Sequence, residues 1–189
     1  MKKYLAVFLA LLACASPTPS FAKNWTVDYA NSRLGFTATQ GDKSFEGSFK
    51  NFQTTIDFDP AKPEAGKITA TIDMISAVAG SAERDSALPQ ADWFDTKKFP
   101  QAQFASTSIK AAGTDKSAAQ CFEAEGTLTI KGIERKVTLP FCLKPEDDHT
   151  RAKGKIVLMR NDFQIGQGQW ASEAFVKNAV TVTVDIAAR

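Results

Sequence analysis

Over most of its length the chain alternates apolar and polar residues with a period of two, the pattern that a strand with one face toward a core imposes. Trp25, Val27 and Tyr29 alternate with polar neighbours, as do Leu34, Phe36 and Ala38, then Phe45, Gly47 and Phe49. The phase shifts at Lys50-Asn51, the mark of a turn or bulge, and Phe52, Thr54, Ile56 and Phe58 continue on even positions. Further strands are read at residues 68–75, 103–111, 121–130, 136–143, 155–161 and 179–187. One stretch departs from the rhythm. Ser81 to Leu88, followed by Asp92 to Phe99 and stopped by Pro100, favours one or two short helices, with Ser81 as N-cap and Glu83 and Asp85 near the first turn. Roughly nine or ten short strands with no break in composition make a single all-β domain, either a closed barrel or a sandwich.

Two cysteines sit inside this pattern. Cys121 and Cys142 flank a segment that reads as two strands around a turn containing Lys131 and Gly132. If those two residues form the turn, Cys121 lies directly opposite Cys142. A four-residue turn at Gly132 to Arg135 instead pairs Ile130 with Val137 and Leu128 with Leu139, a better match of side chains that needs a bulge to bring the cysteines together. Both registers put the cysteines on one face, opposite to Leu128 and Ile130. Opposed strand residues are within disulfide reach, so a structural bridge is expected. The spacing is not that of a Cys-x-x-Cys redox pair.

The oxidising compartment that a disulfide needs is indicated at the other end of the chain. Lys2 and Lys3 precede an apolar run from Tyr4 to Ala13, and Ser20 and Ala22 supply the small residues of a cleavage site. Residues 1–22 therefore read as a secretory signal peptide, and 23–189 as the mature domain. The apolar run is too short for a membrane-spanning helix. A second reading exists at Leu11-Leu12-Ala13-Cys14, which resembles a lipobox and would make Cys14 the lipidated first residue of an anchored lipoprotein. The short leader looks bacterial, which makes the periplasm the expected location. The formal charge of +2 comes from 23 basic and 21 acidic residues, and removing Lys2 and Lys3 leaves 21 of each. A neutral mature chain with no long basic run has no electrostatic footprint for nucleic acid.

Chemistry-bearing clusters are not apparent. The one histidine, His149, lies in the polar stretch Glu146-Asp147-Asp148 and offers neither a Ser-His-Asp arrangement nor a zinc site. Acidic residues are scattered singly, and Gly166-Gln167-Gly168 is a fragment of a nucleotide-binding pattern outside any strand-helix unit. No catalytic residue, metal or cofactor is expected. The aromatic content points elsewhere: the chain has 14 Phe and 2 Tyr, a bias toward rings without a hydroxyl to satisfy, which suits either a dry interior or a well-filled core.

Three stretches resemble the YceI family of bacterial periplasmic proteins. The first is Arg84-Asp85 with Leu88, then Ala91-Asp92-Trp93-Phe94-Asp95, Phe99-Pro100 and Phe104. The second is Gly126-Thr127-Leu128-Thr129-Ile130-Lys131-Gly132-Ile133, continuing through Val137 to Pro140. The third is Arg160-Asn161-Asp162-Phe163 with Ile165-Gly166, and the opening Trp25-Thr26-Val27-Asp28 also fits. The resemblance implies a lipocalin-like antiparallel β-barrel that encloses an isoprenoid lipid, a polyprenyl chain or a quinone, in an apolar lumen. It also implies binding, transport or sequestration without turnover. A membrane electron-transfer protein is then a conceivable partner, and a homodimer is left open. Ala87 stands where the family commonly has His, Gln164 where it has Gly, and the two cysteines are not general in the family.

Within such a barrel, the alternation assigns Phe36, Phe45, Phe49, Phe104, Leu128, Ile130, Val157, Met159 and Phe163 to the inside, with Trp93 and Phe94 capping the opening. Arg84, Asp85, Asp92 and Arg160 are read either as a salt-bridged clasp that holds the helical insertion or as headgroup contacts. Two other functions compete: a protein-interaction or stress-response barrel with a filled core, and a hydrolase or isomerase acting on the lipid. Sequence does not give the volume of the interior, so an open lumen and a filled core remain alternatives.

Overall fold

A computed structural model describes residues 24–189. The leader read at 1–22 and the lipobox Cys14 lie outside the described residues. Eleven strands form one antiparallel sheet: β1 Asn24–Trp25, β2 Val27–Gln40, β3 Lys43–Phe49, β4 Phe52–Asp57, β5 Lys67–Asp73, β6 Ala77–Val78, β7 Gln101–Thr114, β8 Gln120–Ile130, β9 Ile133–Pro145, β10 Thr150–Met159 and β11 Ala179–Ala188. Their order across the sheet is β1-β4-β5-β7-β8-β9-β10-β11-β2-β3-β6. The sheet curls into a barrel because β1 runs almost directly into β2 while the two pair on opposite sides. Trp25 pairs with Ile56 of β4, and Val27 pairs with Ala188 of β11.

The strands were expected to be short, yet β2 and β7 each run for 14 residues. Irregular pairing lets such long strands bend around a barrel: β7 slips register against β8 at Ser106/Ser108 and again at Ala111/Gly113. Phe36 illustrates the tight curvature. Its cross-strand partner is Gly47, and the Phe36 ring occupies the space a Cβ there would need, so glycine is what lets the ring lie flat on the inner wall.

The hairpin joining β8 to β9 takes the tighter of the two registers. Ile130 pairs with Ile133 across a two-residue loop in which Lys131 and Gly132 both have positive φ, 52° and 72°. This is the turn geometry whose twist matches that of the flanking strands, and it outweighs the better side-chain match of the longer loop. Cys121 consequently opposes Cys142, and the two form a disulfide on the outer face of the barrel.

The insertion holds one helix, α1 Ala82–Ala87, begun as expected by Ser81, whose Oγ accepts from the Arg84 amide. The second helix read at Asp92 to Phe99 is instead a run of turns. Asp95 adopts a left-handed φ of 49°, which no helix continues through. Likewise β10 stops at Met159 rather than Asn161, and Arg160–Phe163 forms a 3-10 turn.

Apolar packing is concentrated at the two ends of the barrel. One end is plugged by Phe58, Phe122 and Phe141, whose ring centroids lie 5.0 to 5.8 Å apart. At the other, Phe36, Met74, Leu88 and Phe94 form a second buried cluster beneath the insertion. Between them the inner wall faces space.

Candidate functional site

An internal cavity of about 530 Å³ runs between these two clusters, within the range of ~300–1,000 Å³ typical of small-molecule sites. Its walls are formed by the inward positions of nearly every long strand: Phe36 and Ala38 on β2, Ile56 on β4, Ile68, Ala70 and Ile72 on β5, and Leu128 and Ile130 on β8. Val180, Val182, Val184 and Ile186 of β11 complete the lining on one side. Val180, Val182 and Val184 are only partly buried although they point inward, because they border open space rather than packed side chains. The interior is therefore a lumen rather than a filled core.

Of the residues assigned to the inside, Phe36, Phe45, Phe49, Phe104, Leu128, Ile130 and Phe163 line the cavity, and Trp93 and Phe94 border it from the insertion. Val157 and Met159 do not. They point outward and are 54% and 43% exposed, while Ile156 and Leu158 take the inner positions. The run from Ile156 to Met159 is apolar at every position, so alternation is silent there. The face is decided by pairing with β11, where Ile156 opposes Val182 and Leu158 opposes Val180. Lys153 and Lys155 on the odd positions carried that signal. Trp170, in the loop before β11, also borders the cavity; nothing in its Gly- and Gln-rich surroundings marks it as a wall residue.

Polar lining is sparse: apart from Thr54 on β4 and Thr150 on β10, it gathers under the insertion, where Gln40, Glu83, Arg84, Ser86 and Arg160 border the cavity. Three stretches distant in sequence meet here. Lys131 Nζ, at the hairpin tip, donates to the Ala91 carbonyl at 3.1 Å and to the Gln164 carbonyl at 2.9 Å. Burial pushes its pKa down, with Asp95 and Asp92 opposing that shift. The amides of Gly166 and Gln167 in turn donate to the Asp92 carbonyl at 2.7 and 2.8 Å. Trp93 packs against Trp170 with centroids 6.0 Å apart, and the Trp93 indole N–H is buried without a hydrogen-bond partner.

The expected clasp exists but is not salt-bridged. Among the described residues no ion pair joins Arg84, Asp85, Asp92 or Arg160. Arg160 is 3% exposed and spends its donors on carbonyl oxygens: Ile165, Gly166, Trp170 and Val176 at 2.7 to 2.8 Å, and Lys177 at 3.2 Å. Burial lowers its pKa from the usual arginine value. Arg84 Nε donates to the Ala79 carbonyl at 2.9 Å, its guanidinium sits 4.4 Å from the Phe45 ring centroid, and Asp85 accepts from the Ala79 amide. Backbone carbonyls serve as partners because the insertion and the loop before β11 contain few strand hydrogen bonds, leaving oxygens that need donors.

His149 lies away from the lumen lining, in the turn between β9 and β10, with Nδ1 2.6 Å from Asp148 and Nε2 2.7 Å from Glu146. Asp115 approaches Cys121 and Cys142, but both sulfurs are committed to the disulfide.

The model of the YceI-like domain family matches residues 25–188. Among solved structures, BcnA from Burkholderia cenocepacia is 32% identical, with a TM-score of 0.81 over 87% of this chain and 100% of that one. A domain from Saccharophagus degradans, described as polyisoprenoid-binding and implicated in plant cell wall breakdown, is 14% identical with a TM-score of 0.67 and shares the fold. Protein YceI of Escherichia coli is 39% identical over 127 residues, 63% of this chain and 62% of that protein. A Pseudomonas putida UPF0312 protein is also 39% identical, with 53% of its length covered. The aligned part thus spans less than two thirds of either relative.

Proposed function

The chain belongs to the YceI-like domain family, and from that premise we propose that it is a periplasmic binding protein that sequesters or carries a long isoprenoid lipid, a polyprenyl chain or a prenylated quinone. The observation that carries this reading is the lumen itself: a continuous apolar cavity of about 530 Å³ bounded by an aromatic plug at one end and a stapled insertion at the other. A globular core of this size packs without such a space, because voids forfeit dispersion contacts.

The chemistry asked of the walls is simple. Transfer of each methylene from water is worth ~0.8 kcal/mol, so a chain of some 30 carbons has a gross driving force on the order of 20 kcal/mol, much of it offset by ordering. Aliphatic and Phe side chains supply the complementary surface, and no bond is made or broken. Orientation follows from where the few polar groups sit. The ligand's polar end lies under the insertion, near Arg84, Ser86 and the free indole N–H of Trp93, with its tail toward Phe58, Phe122 and Phe141. Trp93 then donates to a ligand oxygen, satisfying a group that is otherwise buried without a partner. Ala87, which borders the lumen where the family commonly has His, contributes only contact area. For a quinone ligand, the physiological counterpart is a membrane electron-transfer protein.

Mass spectrometry of an organic extract of the protein purified from its native host tests the proposal. A stoichiometric isoprenoid species is expected. An extract without one, from a protein that also fails to take up added long-chain ubiquinone, overturns it.

A further inference from the structure

Strands β9 and β10 part company halfway along the barrel. Their ladder runs from Thr150↔Pro145 to Gly154↔Phe141 and ends there, although β9 extends back to Ile133 and β10 on to Met159. Each remains fully paired on its other side, β9 with β8 and β10 with β11. Pro140, which has no amide hydrogen to donate, stands where the ladder would continue, opposite Lys155. The result is a slit in the wall between the upper halves of the two strands. Its inner edges are Val137 and Leu139 on one side and Ile156 and Leu158 on the other, all lining the lumen.

The other unpaired edge, beside β3 and β4, is treated differently. There Lys50 and Asn51 are stitched to Ser76, and the Asp73 amide donates to the Asn51 carbonyl. The β9–β10 slit is closed at its top by the bond from Lys131 to the Gln164 carbonyl, but between there and Pro140 it has no such stitching among the described residues, and its inner rim is apolar. Val157 and Met159 are exposed on the outer lip, flanked by the exposed Lys136 and Lys155. An apolar pair between cations suits a surface that is oily beneath and negative above.

We propose that this slit is a side port to the lumen, and that its lip, Val157 and Met159 with Lys136 and Lys155, is the surface that meets an anionic phospholipid bilayer while the lipid passes in or out. The proposal rests on the carrier reading above. A prenyl chain crossing between the strands stays in contact with Leu139 and Leu158 and never needs to unfold the insertion, which Lys131 and the Gly166 and Gln167 amides hold in place.

The test measures quenching of tryptophan fluorescence as the purified protein takes up long-chain ubiquinone from vesicles of equal parts phosphatidylglycerol and phosphatidylcholine. Trp25, Trp93 and Trp170 all border the lumen, so loading is read directly. A Val157→Glu/Met159→Glu protein is expected to load on the order of tenfold more slowly, yet to reach the wild-type plateau when ubiquinone is delivered in detergent, which also reports an intact lumen. Lys136→Glu/Lys155→Glu is expected to abolish the preference for anionic over pure phosphatidylcholine vesicles. Ile75, 57% exposed near the insertion, provides the control, and Ile75→Glu is expected to load normally. Unchanged loading by the Val157/Met159 variant, or slowing by Ile75→Glu alone, overturns the port. A wild-type protein that takes up no ubiquinone even from detergent removes the carrier reading instead.

Discussion

The Arg160 guanidinium donates to the Gly166 carbonyl at 2.8 Å, and this bond is one of several by which a single buried cation gathers the loop between β10 and β11. Removing it strands at least four carbonyl oxygens. Arg160→Ala is expected to lose at least ~3 kcal/mol of stability in urea unfolding. Arg84→Ala gives up one carbonyl bond and the contact with the Phe45 ring, and is expected to lose no more than ~2 kcal/mol and to retain bound lipid.

Gln164 follows the 3-10 turn in a left-handed conformation, φ 53° and ψ 40°. A side chain there costs about 1 kcal/mol relative to glycine, and the interactions Gln164 makes in the clasp are backbone ones, which glycine keeps. Gln164→Gly is therefore expected to raise stability by up to ~1 kcal/mol, seen as a higher urea midpoint at unchanged slope.

The disulfide links two residues 21 positions apart on the outer face, away from the cavity. Its contribution comes chiefly from restricting the unfolded chain. Cys121→Ser/Cys142→Ser is expected to lower stability by about 2–4 kcal/mol while leaving the amount of ubiquinone bound unchanged. Chemical unfolding and fluorescence titration check the two halves.

His149 titrates in company. Its pKa is raised, first by the hydrogen bond to Asp148 and further by the charges of Asp148 and Glu146. The contribution of this network is thus full below the ordinary histidine value of about 6.5 and is lost as pH rises through the raised value. Glu146 is lowered, first by its bond to Arg151, and Asp148 by its bond to His149, so their share is lost as pH falls through the lowered values. Stability is expected to decline gently above about pH 6.5, and His149→Gln to flatten that decline. Urea midpoints measured from pH 5 to 9 check it.

Much of the barrel is legible from alternation because side-chain direction in a strand is a local consequence of backbone geometry. Phe36, Phe104 and Leu128 face inward where the pattern puts them, and Ser81 caps α1 as its chemistry suggests. Legibility fails where the pattern saturates. From Ile156 to Met159 every residue is apolar, and only the neighbouring strand determines which two turn outward. The helix read at Asp92 to Phe99 fails for a different reason: the left-handed Asp95 sits in a run of turns inside the insertion, its amide donating to the Gln90 carbonyl and its carbonyl accepting from the Lys98 and Phe99 amides, a turn geometry that helix propensity does not record.

The amino-acid sequence by itself determined the strand periodicity, the odd-even faces of most strands and the pairing potential of Cys121 with Cys142, all properties of residues close together in the chain or across a short turn. Tertiary structure alone decided that Arg160 would bind carbonyls instead of carboxylates, that Lys131 would join Ala91 to Gln164, and that the interior would enclose a cavity. A cavity is the difference between the volume a closed sheet encloses and the volume its side chains fill, and only the first of those depends on how eleven strands curve together in space.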